Sequence, residues 1–147
     1  MKMVNAEETM IEQVMDVLVD AERTCTAVGP VSELAPGGLT LEMAHRICEG
    51  NLQRRLDQGE RVVGMKVGLT NLAVRDNMGL PDSTDGYLLD SMALPSGGTL
   101  QVAEFVAPKI ETEICFRLGK PLRGTDTTVE ATLGVAHFGF HSQRRRQ

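Results

Sequence analysis

The hydrophobic period of this 147-residue chain changes at Gly59, from helical spacing before it to two-residue spacing after it. Helical spacing first and strand spacing afterwards separates helices from sheet along the chain, so the expected class is α+β. Before the change, residues 5–8 (Asn-Ala-Glu-Glu) have capping-box spacing. Ile11, Val14, Met15, Leu18 and Ala21 then recur on one helical face. Glu8, Glu12, Asp16 and Asp20 mark the other face, which reads as solvated. Gly29-Pro30 and Pro36-Gly37-Gly38 break the pattern. Thr40 is the expected cap of a second helix to Gln58, with Leu41, Ala44, Cys48, Leu52 and Leu56 as its apolar stripe. Gly59 suits the left-handed stop.

After Gly59, residues 62–69 read as a buried strand and 71–78 as a short helix closed by Gly79. A loop over 81–86 leads to a short strand at 87–89. A turn at 95–98 precedes a further strand over 100–106. The clearest strand starts at Pro108 and stops at Gly119. Residues 127–130 (Thr-Thr-Val-Glu) form a capping box with a short helix behind it. With no Trp and one Tyr, the core must be mostly aliphatic.

Charge and cysteine content exclude several classes. A net charge of −5 argues against a general electrostatic nucleic-acid binder, which needs a basic face to displace phosphate counterions. No apolar run approaches the roughly 20 residues of a membrane span. Residues 1–10 carry acids where a signal peptide has a basic and then an apolar region, so a cytoplasmic location is expected. Cys25, Cys48 and Cys115 have no CxxC spacing and read as reduced, packed thiols.

Two stretches carry chemistry. In residues 109–118, Ile110, Thr112, Ile114, Phe116 and Leu118 alternate with Lys109, Glu111, Glu113, Cys115 and Arg117. Glu111 and Glu113 share a face with Cβ atoms roughly 6.5–7 Å apart. Spacing alone leaves two readings: surface charge pairing on a polar strand face, or two oxygen donors for one hard divalent cation. No histidine lies in this strand, which argues against zinc there. In residues 61–70, Gly64, Lys66 and Gly68 share a face. The glycines leave room for a ligand beside the Lys66 ammonium, or they mark bulges around an ordinary strand lysine. Neither a P-loop nor a GxGxxG dinucleotide fingerprint is present in this stretch.

Taken together, residues 59–70, Met78-Gly79, residues 86–92 and residues 108–114 resemble, in that order, the 2-hydroxypenta-2,4-dienoate (2-keto-4-pentenoate) hydratase and 4-oxalocrotonate decarboxylase family of the fumarylacetoacetate hydrolase superfamily. The likeness covers about residues 40–128. It implies N-terminal helices over 1–58, a partial, mostly β, fumarylacetoacetate-hydrolase-like catalytic region over 59–134, and a non-matching basic tail over 135–147. It implies a lyase of aromatic meta-cleavage catabolism that takes a small 2-oxo acid. Glu111 and Glu113 would hold Mg²⁺ or Mn²⁺, and a third acidic ligand would come from a later segment. Lys66 would be catalytic at the substrate site, and Gly64, Gly68, Thr84, Asp85 and Ser91 would be pocket residues. A cation chelated by the 2-oxo acid would act as a Lewis acid on the keto oxygen, a design that serves hydration and decarboxylation alike. Relatives assemble as homo-oligomers or hydratase–decarboxylase complexes. The competing reading is a truncated non-catalytic remnant or a partner module of a full-length relative.

Two departures from the family pattern stand out. Hydratases often carry an acid two residues before the glycine that matches Gly86, whereas here Thr84 holds that position and Asp85 follows it. The tail holds no acid after Glu130 and ends in Arg144, Arg145 and Arg146, read as a solvated basic tag. His137 and His141 could bind a metal together on a helix, but Gly139 between them weakens one, so adventitious binding is expected.

Overall fold

The computed structural model describes residues 6–144, with side chains described through His137. The expected cap at Asn5 and the basic residues Arg145 and Arg146 lie outside the described residues. The element order is α1 (Ala6–Thr24), α2 (Leu41–Asp57), β1 (Val62–Gly68), α3 (Leu72–Met78), β2 (Thr84–Leu89), β3 (Ile110–Leu118), α4 (Val129–Leu133) and β4 (Ala136–Arg144). Strands β1 and β2 form one antiparallel pair, and β3 and β4 form another. The α+β class holds.

Contacts divide the chain into two compact units, Met1–Val106 and Ala107–Gln147. Across the expected boundary at Gln58–Gly59, polar ties bind the β1–β2 hairpin to the helices. Arg55 donates twice to Glu60, at 2.7 and 2.9 Å, once to Glu22 at 3.1 Å and once to Ser91 Oγ at 3.2 Å. The Ser91 hydroxyl in turn donates to Glu60. Within the expected tail over 135–147, residues 136–144 pair with β3 as β4.

In the first unit, Ile11, Val14 and Met15 of α1 pack on Ile47 of α2. The stripe expected on α2 is rotated. Leu41, Ala44 and Cys48 face outward, and Met43, Ile47 and Gly50 meet α1. Gly50 lets Met15 approach α2 closely: a Cβ there would lie 2.5 Å from Met15 Cε, so the methionine would have to shift. The acids of α1 are exposed, as expected, yet they are paired. Arg46 holds Glu7 and Glu8 at 2.7 and 2.6 Å, and Arg54 holds Glu12 and Asp16 at 2.6 and 2.8 Å. Exposed pairs contribute roughly 0.2–1 kcal/mol each, so this seam fixes which faces meet more than it stabilises them.

Helix ends follow local chemistry. Thr40 Oγ1 accepts the Met43 N–H at 3.2 Å. At the other end of α2, Gly59 N–H donates to Leu56 O and Glu60 N–H to Arg55 O, with Gly59 at φ +95°. This is the Schellman arrangement, which needs a left-handed residue. Asn71 caps α3, and Gly79 ends it at φ +66°. Thr128, not Thr127, caps α4: its Oγ1 accepts the Ala131 N–H at 3.2 Å.

Two strand expectations change. Residues 100–106 form no strand; Val102–Glu104 is a 3₁₀ turn. The apolar alternation fails at Glu104, and local bonds (Glu104 N–H to Gln101 O, Phe105 N–H to Val102 O) satisfy the backbone instead. Strand β1 is not buried, because Val63, Met65 and Val67 are exposed in a hairpin of only two strands. No helix among the described residues is long and apolar enough to cross a membrane.

Two measurements check this packing. Val14 is fully enclosed, so Val14→Ala should cost about 2 kcal/mol in urea unfolding. The Arg55 hydrogen bonds, and then that of Ser91, hold the Glu60 carboxyl below its usual range. A depressed carboxyl stabilises the fold above its ordinary pKa, and that contribution is lost as pH falls through the folded value. Glu60→Gln should therefore destabilise by about 1–3 kcal/mol at neutral pH, with the gap to wild type closing below about pH 4.

Candidate metal centre and substrate face

In the second unit, β3 sorts its side chains as the alternation requires, but with the faces reversed relative to burial. Ile110 and Ile114 are 85% and 68% exposed, and Phe116 and Leu118 are also exposed. Glu111, Glu113 and Cys115 are half-buried, and Glu111 Oε2 is shielded from solvent. Two sheltered carboxylates on one strand face are a chemically fitting donor set for a hard divalent cation, whose charge offsets their mutual repulsion. Among the described residues, no group of three His, Cys, Asp or Glu side chains forms a metal cage.

In the first unit, β1 carries Lys66 across from Gly86 of β2. Gly64 and Gly68 flank it on the same face, so three glycines surround the lysine. A Cβ at Gly86 would meet nothing within 4 Å, which leaves open space beside the Lys66 backbone. Sequence spacing could not reveal Gly86 as part of this patch, because the register of the hairpin was needed. Thr84 lies across from Gly68 and shares the Lys66 face, while Asp85 lies across from Val67 on the opposite face. An acid displaced by one residue on a strand thus changes sides. The strand leaves through Leu69, a non-glycine residue at φ +54°, whose carbonyl accepts from Arg75 Nη1 at 3.2 Å. That conformation costs about 1–2 kcal/mol and fixes the exit from the lysine strand. Ser91 is engaged by Arg55 and Glu60, in the clasp that ties the hairpin to the helices.

Asp85 opens instead on a cleft of about 480 Å³, where it meets His45, Cys48 and Glu49 of α2 together with Thr84 and Tyr87. Helical spacing pointed to Leu41, Ala44 and Cys48 as core, and the structure makes them a cleft wall. Desolvation by these walls raises the Cys48 thiol pKa, and the negative charges of Asp85 and Glu49 raise it further. The thiolate is therefore scarce at neutral pH. Asp85→Asn removes one of those charges, so iodoacetamide should alkylate Cys48 severalfold faster at pH 8 in the variant than in wild type.

No family model matches the chain. It is 39% identical over 128 residues to the TodF product hydratase of Pseudomonas putida, covering 87% of this chain and 47% of that protein. It is 35% identical over 123 residues to a 2-hydroxypent-2,4-dienoate hydratase of Pseudomonas putida, covering 83% of this chain and 55% of that protein. Identity to a 4-oxalocrotonate decarboxylase of a Pseudomonas species is 37% over 97 residues, covering 66% of this chain and 38% of that protein. Among solved structures, 4-oxalocrotonate decarboxylase from Pseudomonas putida G7 superimposes with a TM-score of 0.78 at 25% identity. The match covers 92% of this chain and 51% of that one, in forms complexed with calcium and acetate and with magnesium and adipate. The chain spans about half the length of the curated relatives it matches. By sequence and by fold, this chain is a relative of the 2-keto-4-pentenoate hydratases and of 4-oxalocrotonate decarboxylase.

Proposed function

We propose that this chain carries the cation-binding and substrate-facing elements of a divalent-metal-dependent lyase for 2-oxo and 2-hydroxy dienoic acids. The observation that carries this reading is the side-by-side placement of Glu111 and Glu113 on the sheltered face of β3. Glu111 and Glu113 are the proposed ligands of Mg²⁺ or Mn²⁺, and the magnesium- and calcium-bound forms of the structural neighbour support a divalent ion. A cation bound there supplies Lewis-acid polarisation of a 2-oxo group.

Lys66 is the proposed catalytic residue. Its ammonium, set among Gly64, Gly68 and Gly86, has the charge to bind a substrate carboxylate, and the open space at Gly86 leaves room for one. Of the two reactions, 4-oxalocrotonate decarboxylation is favoured over hydration. An acid suited to activating water would have to share the Lys66 face, where Thr84 offers only a hydroxyl. Thr84 remains a proposed pocket residue on that face. The proposed assembly is a homo-oligomer or a hydratase–decarboxylase complex, and the proposed location is the cytoplasm. The second reading is a non-catalytic remnant or a partner module of a full-length relative.

Calorimetric titration of Mn²⁺ into the purified chain, with oxalate added as a 2-oxo-acid mimic, separates these readings. The lyase reading expects saturable binding that oxalate strengthens. It also expects Glu111→Ala to weaken that binding by orders of magnitude while the far-UV circular dichroism stays unchanged. Equal Mn²⁺ binding by wild type and Glu111→Ala would contradict the site.

A further inference from the structure

The strand that carries Lys66 is held near its two ends by arginines. At the entry, the Arg61 N–H and Nε each donate to the Asp90 carboxylate at 3.0 Å, and Asp90 N–H returns a bond to Arg61 O at 2.9 Å. Between the ends the strand is soft. Its register with β2 shifts between Val62 and Gly64, and Gly64 and Gly68 on either side of the lysine give the backbone extra conformational freedom. At the exit, the ladder stops with Gly68 across from Thr84. The next carbonyl, that of Leu69, is taken by a side chain. Arg75 Nη1 reaches back six residues and donates to it at 3.2 Å.

Leu69 is at φ +54°, a left-handed conformation that a leucine keeps only where its surroundings hold it. Arg75 can do this because α3 is fixed at both ends. Asn71 Oδ1 accepts the Ala73 and Val74 N–H groups at 3.0 and 3.4 Å, and Leu80 N–H donates to Arg75 O at 3.0 Å. Packing does not explain the arginine. Its Nε is shielded from solvent with no hydrogen-bond partner among the described residues, a cost that a methionine of similar length would avoid.

We propose that Arg75 is a positioning residue for Lys66: its bond to the Leu69 carbonyl holds the left-handed elbow and thereby sets where the end of β1 places the lysine. This rests on the reading of Lys66 as the substrate-facing cation. Arg75 acts through the backbone of residues 66–69 and touches no substrate itself. Arg61 and Arg75 thus clamp a strand whose glycines would not hold the lysine alone.

The test is NMR on the 147-residue chain with isotope-labelled lysine, in Mg²⁺, with oxalate as the carboxylate probe. The Lys66 side-chain signal is identified by its loss in Lys66→Arg. Arg75→Met should move that signal and the amide signals of residues 66–68 before any oxalate is added. It should also weaken oxalate, read from the Lys66 shift, by about fivefold or more. Arg75→Lys, whose ammonium can still donate to Leu69 O, should return oxalate affinity to within about twofold of wild type. Glycine adopts the left-handed conformation freely, so in a Leu69→Gly background Arg75→Met should weaken oxalate by no more than about twofold. The signals of Val14 and Ile47 in the helical core should stay in place throughout. Unchanged ligand-free Lys66 signals in Arg75→Met would overturn the inference. So would an equal loss with and without Leu69→Gly, which would put the guanidinium on the probe itself. Movement of the Val14 and Ile47 signals along with Lys66 would also overturn it, because the arginine would then support the whole unit. If oxalate fails to move Lys66 in wild type, the substrate-facing reading of Lys66 falls, and the ligand-free signals still decide whether Arg75 positions it.

Discussion

Strand β3 shelters its carboxylate face and exposes its aliphatic face, the reverse of what the hydrophobic effect favours. Burial of apolar area stabilises by roughly 25 cal/mol per Å², so leaving Ile110 and Ile114 in solvent forgoes more than 1 kcal/mol for each. Sheltering Glu111 and Glu113 adds a desolvation cost. The register of β3 with β4 makes the arrangement specific, since a slip of one residue would send both glutamates to the other face.

The first unit obeys the same two-sided logic with the opposite emphasis. Its stability comes from a small aliphatic contact between α1 and α2, closed by Gly50 against Met15 and lined by two arginines that each hold two acids. The Arg55–Glu60–Ser91 clasp then fixes the hairpin to this platform, and the Arg61–Asp90 pair closes the hairpin end with bonds of 3.0 Å. Fixing the hairpin fixes which residues share a face with Lys66. Thr84 and Asp85, adjacent in sequence, thus fall on opposite faces of the hairpin by register, although both reach the rim of the α2 cleft.

Much of this was legible in the sequence, for local reasons. Thr40, Gly59, Asn71 and Gly79 mark helix ends through chemistry confined to a few residues, and the strand pattern from Ile110 to Leu118 is unambiguous. The family likeness was legible too, because its motifs lie within those elements. What sequence could not supply depended on pairing. The face of α2 that meets α1 depends on its packing partner, which helical spacing does not encode, and Gly50 leaves Met15 room there. At Val102–Glu104 local bonds satisfy the backbone as a turn, and no strand among the described residues pairs with it. Gly86 beside Lys66 becomes visible only once the register of β1 with β2 is known.

The central claim is that the sheltered face of β3 binds a divalent cation. Paramagnetic broadening of backbone amide signals by substoichiometric Mn²⁺ tests it directly, because the ion erases signals within a short radius of where it binds. Broadening is expected to start at Glu111–Glu113 and at the paired positions 141–143 of β4. Broadening that instead starts at Glu49 and Asp85 of the α2 cleft, or at the acids of α1, would contradict it.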